Sequence, residues 1–282
     1  MRNFIDMKKI AIVLGLLVAA QSFCPSEAYA RKEKKDKKTL VYVIGDSTVK
    51  NGQGRGDRGQ WGWGSFIGEY FDDAKAEVRN RAIGGRSSRT FITEGRWDVV
   101  CDSLRKGDYV IIQFGHNDGG ELFAGNRPRA SLKGFDDRDT TGVVEMTGRE
   151  ETVLTYGAYL RKYIDDARAK GAQPILCTLI PRNRWKNGKV MRDTAHAVWA
   201  RRVAEEEGVP CIDLNTLIAD IYDEMGQEAV KACFTDADWT HTSEKGARIN
   251  AEVVAGQIAQ LKGCKLKKLL ELGVNDQMEL AI

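Results

Sequence analysis

The chain has 282 residues, 42% hydrophobic and 29% charged, with 43 basic against 40 acidic side chains and a formal net charge of +3. That is ample apolar material for a sizeable core, and no basic stripe with interleaved aromatics exists to support nucleic-acid binding. Six cysteines in 282 residues are too few for a disulfide scaffold, and no CxxC or paired Cys/His spacing marks a zinc site, so no metal is expected.

The first thirty residues read as an export signal. Arg2, Lys8 and Lys9 precede an apolar run, Ile10 to Ala20, that is too short to span a bilayer comfortably, and Ala28-Tyr29-Ala30 supplies a small-x-small cleavage pattern. Met7 would make a tighter start to the same signal. Cys24 lacks the small neighbour that lipidation requires, so cleavage after Ala30 is expected, giving an exported periplasmic or extracellular protein with no stable membrane insertion. Residues 31–38, with six bases against two acids, read as a flexible basic tail, which leaves the chain from Thr39 onward slightly acidic. Five cysteines follow the signal: Cys101, Cys177, Cys211, Cys233 and Cys264. Their odd number leaves at least one free thiol and room for one bridge.

Next come short apolar runs alternating with helical patterns. Leu40 to Ile44, Tyr109 to Phe114, Pro174 to Ile180 and Pro210 to Leu214 read as buried strands, with Glu77 to Ile83 a weaker fifth. The spacing predicts helices over Trp63 to Phe71, Glu150 to Lys170, Arg192 to Glu207, Asn215 to Met225 and Ser243 to Lys262. In the second of these, Val153, Leu154, Leu160, Tyr163, Ile164 and Ala167 recur at helical intervals. "AKGAQP" and "EEEGVP" each end a helix in glycine before a proline opens the next strand. Repeated β-loop-α-β order implies an α/β fold, a parallel sheet of about five strands with helices on both faces and ligands at the carboxyl ends of the strands. A single domain is expected over 39–264, with 265–282 as a C-terminal extension. Gly119 to Gly148 breaks the rhythm: long, polar and placed directly after "FGHND", it reads either as a lid or substrate-binding wall or as a loose insertion.

Four segments carry candidate chemistry. "VIGDSTVK" (Val43 to Lys50) ends an apolar run in Gly-Asp-Ser, so Ser47 is either a displayed nucleophile or a turn hydroxyl. "NRAIGGRSSRTF" (Asn80 to Phe91) holds Gly84-Gly85, where backbone can approach a ligand, or else a plain turn into a helix capped by Ser87 or Ser88. In "QFGHND", Asn117 is the kind of short neutral donor that holds an oxyanion, or else part of a capped turn at the strand end. In "FTDADWTHTSEKGA", Asp238 precedes His241 by three residues ahead of a helix capped by Ser243; the separation lets a carboxylate fold back onto Nδ1, or else marks a plain structural turn, the commoner reading of a loop Asp-x-x-His taken alone. His196, inside a helix, reads as a packing or surface residue.

Taken together and in this order, "VIGDSTV", "NRAIGGRSS", "FGHND" and "DWTH" resemble the first, second, third and fifth blocks of the SGNH (GDSL-type) hydrolases. "GQWGWG", "GRSSRTF", "GHNDGG" and "HTSEKGA" look most like the rhamnogalacturonan acetylesterases and their bacterial relatives within that superfamily. The resemblance implies a three-layer α/β/α, flavodoxin-like fold. It also implies a serine carbohydrate esterase that acts on an acetylated polysaccharide or oligosaccharide; a monomer is expected. Carried over by position, Ser47 is the nucleophile, His241 the general base and Asp238 its orienting carboxylate. Ser47 N–H, Gly85 N–H and Asn117 form the oxyanion hole. Asp46 and His116 serve as support beside them, and no cofactor is needed. Arg182, Arg184 and Trp185, after the strand ending near Ile180, are the candidate contacts to a uronate carboxylate and a sugar face. The competing readings are an esterase for acetyl-xylan or sialate O-acetyl groups, a lipase or thioesterase, and a non-catalytic carbohydrate-binding protein.

Overall fold

Thr39 to Gly45 forms the first strand because its residues alternate between two apolar surfaces: Val41 and Val43 enter one core, Tyr42 and Ile44 the other. The computed structural model describes residues 37–50 and 57–271. The chain divides into the units Met1–Lys37 and Lys38–Ile282. The segments expected as an export signal and, nearly all of it, as a basic tail lie outside the described residues, as does the end of the expected C-terminal extension.

The elements in chain order are β1 (Thr39–Gly45), β2 (Ala76–Asn80), α1 (Ser88–Thr93), α2 (Arg96–Ser103), β3 (Tyr109–Gln113), β4 (Asp139–Val144), β5 (Arg149–Leu154), α3 (Tyr156–Ala169), β6 (Gln173–Cys177), β7 (Trp185–Lys186), β8 (Lys189–Val190), α4 (His196–Glu207), β9 (Cys211–Ile212), α5 (Leu214–Met225), α6 (Gln227–Lys231) and α7 (Glu244–Gln260). β2, β1, β3, β6 and β9 lie in that order in one parallel sheet. One face packs on Ile218 of α5 and Val254 of α7. The other packs on Phe91 of α1, Trp97 of α2, Tyr163 and Ile164 of α3 and Val203 of α4. This is the expected three-layer α/β/α arrangement around a five-stranded parallel sheet.

Several expectations change. Trp63 to Phe71 is two 3-10 turns, Trp63–Ser65 and Ile67–Tyr70, because Gly64 and Gly68 weaken helix formation there. The helix expected from Glu150 starts at Tyr156, where the Thr155 side chain caps it by accepting from the Ala158 N–H. Residues 149–154 instead pair antiparallel with β4, so the segment after "FGHND" ends in a β-hairpin rather than a loose insertion. Lys265–Leu269 is a 3-10 turn whose Leu266, with Leu270 after it, is buried in the core, so the domain runs past Cys264 to Leu270. All five described cysteines are free thiols.

Candidate active site

β1 ends in glycine because nothing larger fits. A Cβ on Gly45 would lie 2.5 Å from the Gln113 carbonyl oxygen and 2.7 Å from Val49 Cγ2. The chain then turns over Asp46. Its carbonyl accepts from the N–H groups of Val49 and Lys50, and its Oδ1 accepts from the Thr48 N–H at 2.9 Å and the Thr48 hydroxyl at 2.8 Å. This side-chain-to-backbone turn presents Ser47 at its tip.

A buried chain of hydrogen bonds holds the turn from below. Trp63 Nε1 donates to Gln113 Oε1 at 2.8 Å, and Gln113 Nε2 donates to Thr48 Oγ1 at 2.7 Å. On the other side His116 Nδ1 lies 3.2 Å from Asp46 Oδ2, while His116 Nε2 lies 3.0 Å from the Ile180 carbonyl oxygen. Burial alone would raise the Asp46 carboxyl. The His116 charge and the hydrogen bonds from His116 and Thr48 outweigh it and hold the group below its ordinary range. Asp46 is thus committed to the turn and to His116.

Ser47 Oγ lies 2.9 Å from His241 Nε2, and His241 Nδ1 lies 2.7 Å from Asp238 Oδ2. The fold-back across three residues is fixed by Asp238 Oδ1, which accepts from the N–H groups of Thr240 at 2.7 Å and His241 at 2.9 Å. For Asp238, burial raises the carboxyl, but the hydrogen bonds from the His241 ring and from these two N–H groups prevail and keep it below the ordinary value. An ionised Asp238 accepts a proton-bearing Nδ1, which leaves the Nε2 lone pair for the Ser47 hydroxyl. The loop leads directly into α7, capped as expected by Ser243.

The expected oxyanion donors sit at neighbouring strand ends. Gly85, at φ +79° in the turn after β2, adopts a conformation that side-chain-bearing residues rarely hold. A Cβ on its neighbour Gly84 would lie 3.7 Å from Ser47 Cβ, so this turn rests against the serine. Among the described residues, the N–H groups of Ser47 and Gly85 have no backbone acceptor. Asn117 is 8% exposed and donates one amide hydrogen to the Arg86 carbonyl at 3.0 Å, leaving the other available.

The remaining expected residues divide. Arg182 donates to Thr240 Oγ1 at 3.2 Å and to the His116 carbonyl at 3.3 Å, bracing the histidine loop against the third block. Arg184 stacks 5.1 Å over the ring centroid of Trp239, which is 53% exposed beside Asp238. Trp185 lies in the two-residue hairpin β7–β8 and donates to Asn183 Oδ1 at 2.7 Å. A polar cavity of about 170 Å³ is lined by Arg182, Arg184, Arg192 and Asp193. His196 packs edge-on against Tyr156 and Trp199, and its burial pushes it down to about 4, consistent with a packing residue. The sequence reading missed Gln113 and Thr48, although a glutamine inside the buried run Tyr109–Gln113 is a polar group that demands a partner. Among the described residues no cluster of three His, Cys, Asp or Glu side chains could hold a metal ion.

A parallel α/β sheet with serine, histidine and aspartate hydrogen-bonded in series at its carboxyl edge defines a hydrolase of the serine-esterase class. The profile of the GDSL-like Lipase/Acylhydrolase family matches residues 43–249, and the chain belongs to that family. It is 37% identical over 227 residues to the probable rhamnogalacturonan acetylesterase YesY of Bacillus subtilis, covering 78% of this chain and 93% of that protein. It is 34% identical to the rhamnogalacturonan acetylesterase of Emericella nidulans, covering 75% of this chain and 81% of that protein. The crystal structure of Bacillus subtilis YxiM superposes with a TM-score of 0.64 at 26% identity, over 81% of this chain and 58% of that one.

Proposed function

We propose that the protein is a serine carbohydrate esterase that removes O-acetyl groups from rhamnogalacturonan. The observation that carries the reading is the hydrogen-bonded series from Ser47 Oγ through His241 to Asp238, with spacings of 2.9 and 2.7 Å. The two rhamnogalacturonan acetylesterases at 34% and 37% identity support the substrate.

His241 Nε2 takes the Ser47 proton as Oγ attacks the acetyl carbonyl. The oxyanion is held by the N–H groups of Ser47 and Gly85 and by the Asn117 amide. His241, held by Asp238, then returns the proton to the departing sugar oxygen. A water attacks the acetyl-enzyme with the same base assisting, and acetate leaves. Polar residues around the serine, among them Lys50, Arg86 and Asn117, suit a short acyl group on a sugar better than a long alkyl chain. The reading includes export after cleavage at Ala30, supported by the leader pattern and tested by N-terminal sequencing of the secreted product.

Acetate release from acetylated rhamnogalacturonan by the purified protein, beside a Ser47→Ala control, tests the assignment. Hydrolysis by the wild type, none by the control, and a strong preference for acetyl over octanoyl esters are expected. Unchanged hydrolysis by Ser47→Ala would sink it.

A further inference from the structure

The segment between β3 and β4 brings two guanidinium groups to the oxyanion glycine. Arg129 Nη1 donates to the Gly85 carbonyl at 3.2 Å. A Cβ on Gly85 would lie 2.9 Å from Arg127 Nη2 and 3.6 Å from Arg129 Nη1, so both side chains reach the same face of that glycine. The buried Pro128 between them fixes its own φ and disfavours helical backbone at Arg127, which narrows where the two side chains start from.

The other arginines around the site are already engaged. Arg86 pairs with Glu94 at 2.9 Å, Arg89 with Glu151 at 2.6 Å and Arg192 with Asp223 at 2.7 Å. Arg182 braces the histidine loop and Arg184 stacks on Trp239. Neither Arg127 nor Arg129 has a carboxylate partner among the described residues. The acids nearest to them are committed elsewhere, Asp46 to Thr48 and His116, Asp118 to Ser88. Burial, then repulsion from Arg127, holds Arg129 below its ordinary value. Asp46 and Asp118 act on Arg129 only through space; two neighbouring cations, one of them half-buried, with no carboxylate hydrogen-bonded to either are a site for an anion.

We propose that Arg127 and Arg129 form a carboxylate subsite that binds a uronate residue at, or next to, the acetylated sugar, on the Gly85 side of Ser47. The inference deepens the proposed function and rests on it. A guanidinium pair offers flat two-point contact to a carboxylate, and its position beside the oxyanion glycine couples sugar charge to ester placement. It relocates the uronate contact from the strand-end arginines Arg182 and Arg184 to the insertion.

The test compares acetylated pectic oligosaccharides bearing free carboxylates with the same oligosaccharides methyl-esterified, for the wild type, Arg127→Gln/Arg129→Gln and Arg127→Lys/Arg129→Lys. The wild type should favour the free acid by about tenfold or more in kcat/KM, with KM rising as salt is added. In the glutamine pair KM for the free acid should rise about tenfold, and the preference over the methyl ester should fall towards one. The lysine pair should recover part of that preference. A wild type indifferent to methyl-esterification overturns the subsite. So does a glutamine pair that loses kcat equally on both substrates, which would mark the arginines as supports of the Gly85 turn. A wild type that cleaves 4-nitrophenyl acetate but neither pectic substrate overturns the proposed function itself.

Discussion

At Ser47 a hydroxyl gains a proton acceptor 2.9 Å away, and that acceptor is oriented by a carboxylate nearly two hundred residues from the serine. Each member then has a distinct expected effect. Ser47→Ala should reduce acetate release to background. Asp238→Asn keeps the shape of the loop but lets the ring turn to the wrong tautomer, and kcat should fall by about 10³–10⁴-fold with folding retained. Asn117→Ala removes one proposed oxyanion donor and should cost about 10²–10³-fold in kcat, read in the same assay with KM nearly unchanged. These residues were legible in the sequence because each sits in a short block at a strand end. Gln113, Thr48 and the bracing Arg182 were not singled out as supports, since their roles exist only once β1, β3 and the histidine loop lie side by side. Asp46 illustrates the difference: adjacent to the serine in sequence, it is consumed by Thr48 and His116.

At the scale of elements, the strands and long helices follow their hydrophobic periods, and the errors have local causes. Val153 and Leu154 extend the apolar stripe of α3 backward in phase, so a helix beginning at Glu150 fits the pattern. Their backbone instead pairs with β4, and Thr155 supplies the cap that starts α3. The hairpin is anchored from α1 by Arg89, 1% exposed, which donates to Glu151 Oε1 at 2.6 Å and to the carbonyls of Leu122 and Ala130 at 2.7 and 2.9 Å. Nothing in the sequence marks Arg89 as buried, because its partners lie 33 to 62 residues away. Arg89→Leu would leave a carboxylate and two carbonyls without their donor. A loss of roughly 3 kcal/mol is expected from removing one member of a buried charged set. Thermal melting reads that loss. Limited proteolysis should show cleavage within 119–148 well before the rest of the domain, and an unchanged digestion pattern would mean that other contacts hold the insertion.

At the scale of the whole molecule, the buried carboxyl of Asp118 is a group that ties stability to pH. Asp118, 1% exposed, joins the end of β3 to α1, where the N–H and hydroxyl of Ser88 donate to its carboxylate, and to the insertion, whose Ser131 N–H donates to its carbonyl at 3.1 Å. Burial pushes its carboxyl up to about 7 against an ordinary value of 3.8, the Ser88 hydrogen bonds offsetting only part of that. Between those values the folded protein keeps a proton that the unfolded chain has released. The contribution of this group to folding is therefore greatest below pH 4, weakens as pH rises towards 7, and does not change further above that. Asp118→Asn keeps an acceptor for Ser88 and carries no charge at any pH. The melting temperature of the variant relative to wild type should accordingly climb between pH 4 and 7 and level off above. The full span is on the order of 4 kcal/mol, or roughly 10 °C for a domain of this size. Other titrating groups are common to both proteins, so the difference isolates this carboxylate. A gap that stays constant across the pH range would mean that Asp118 ionises in the folded protein as readily as in the unfolded chain.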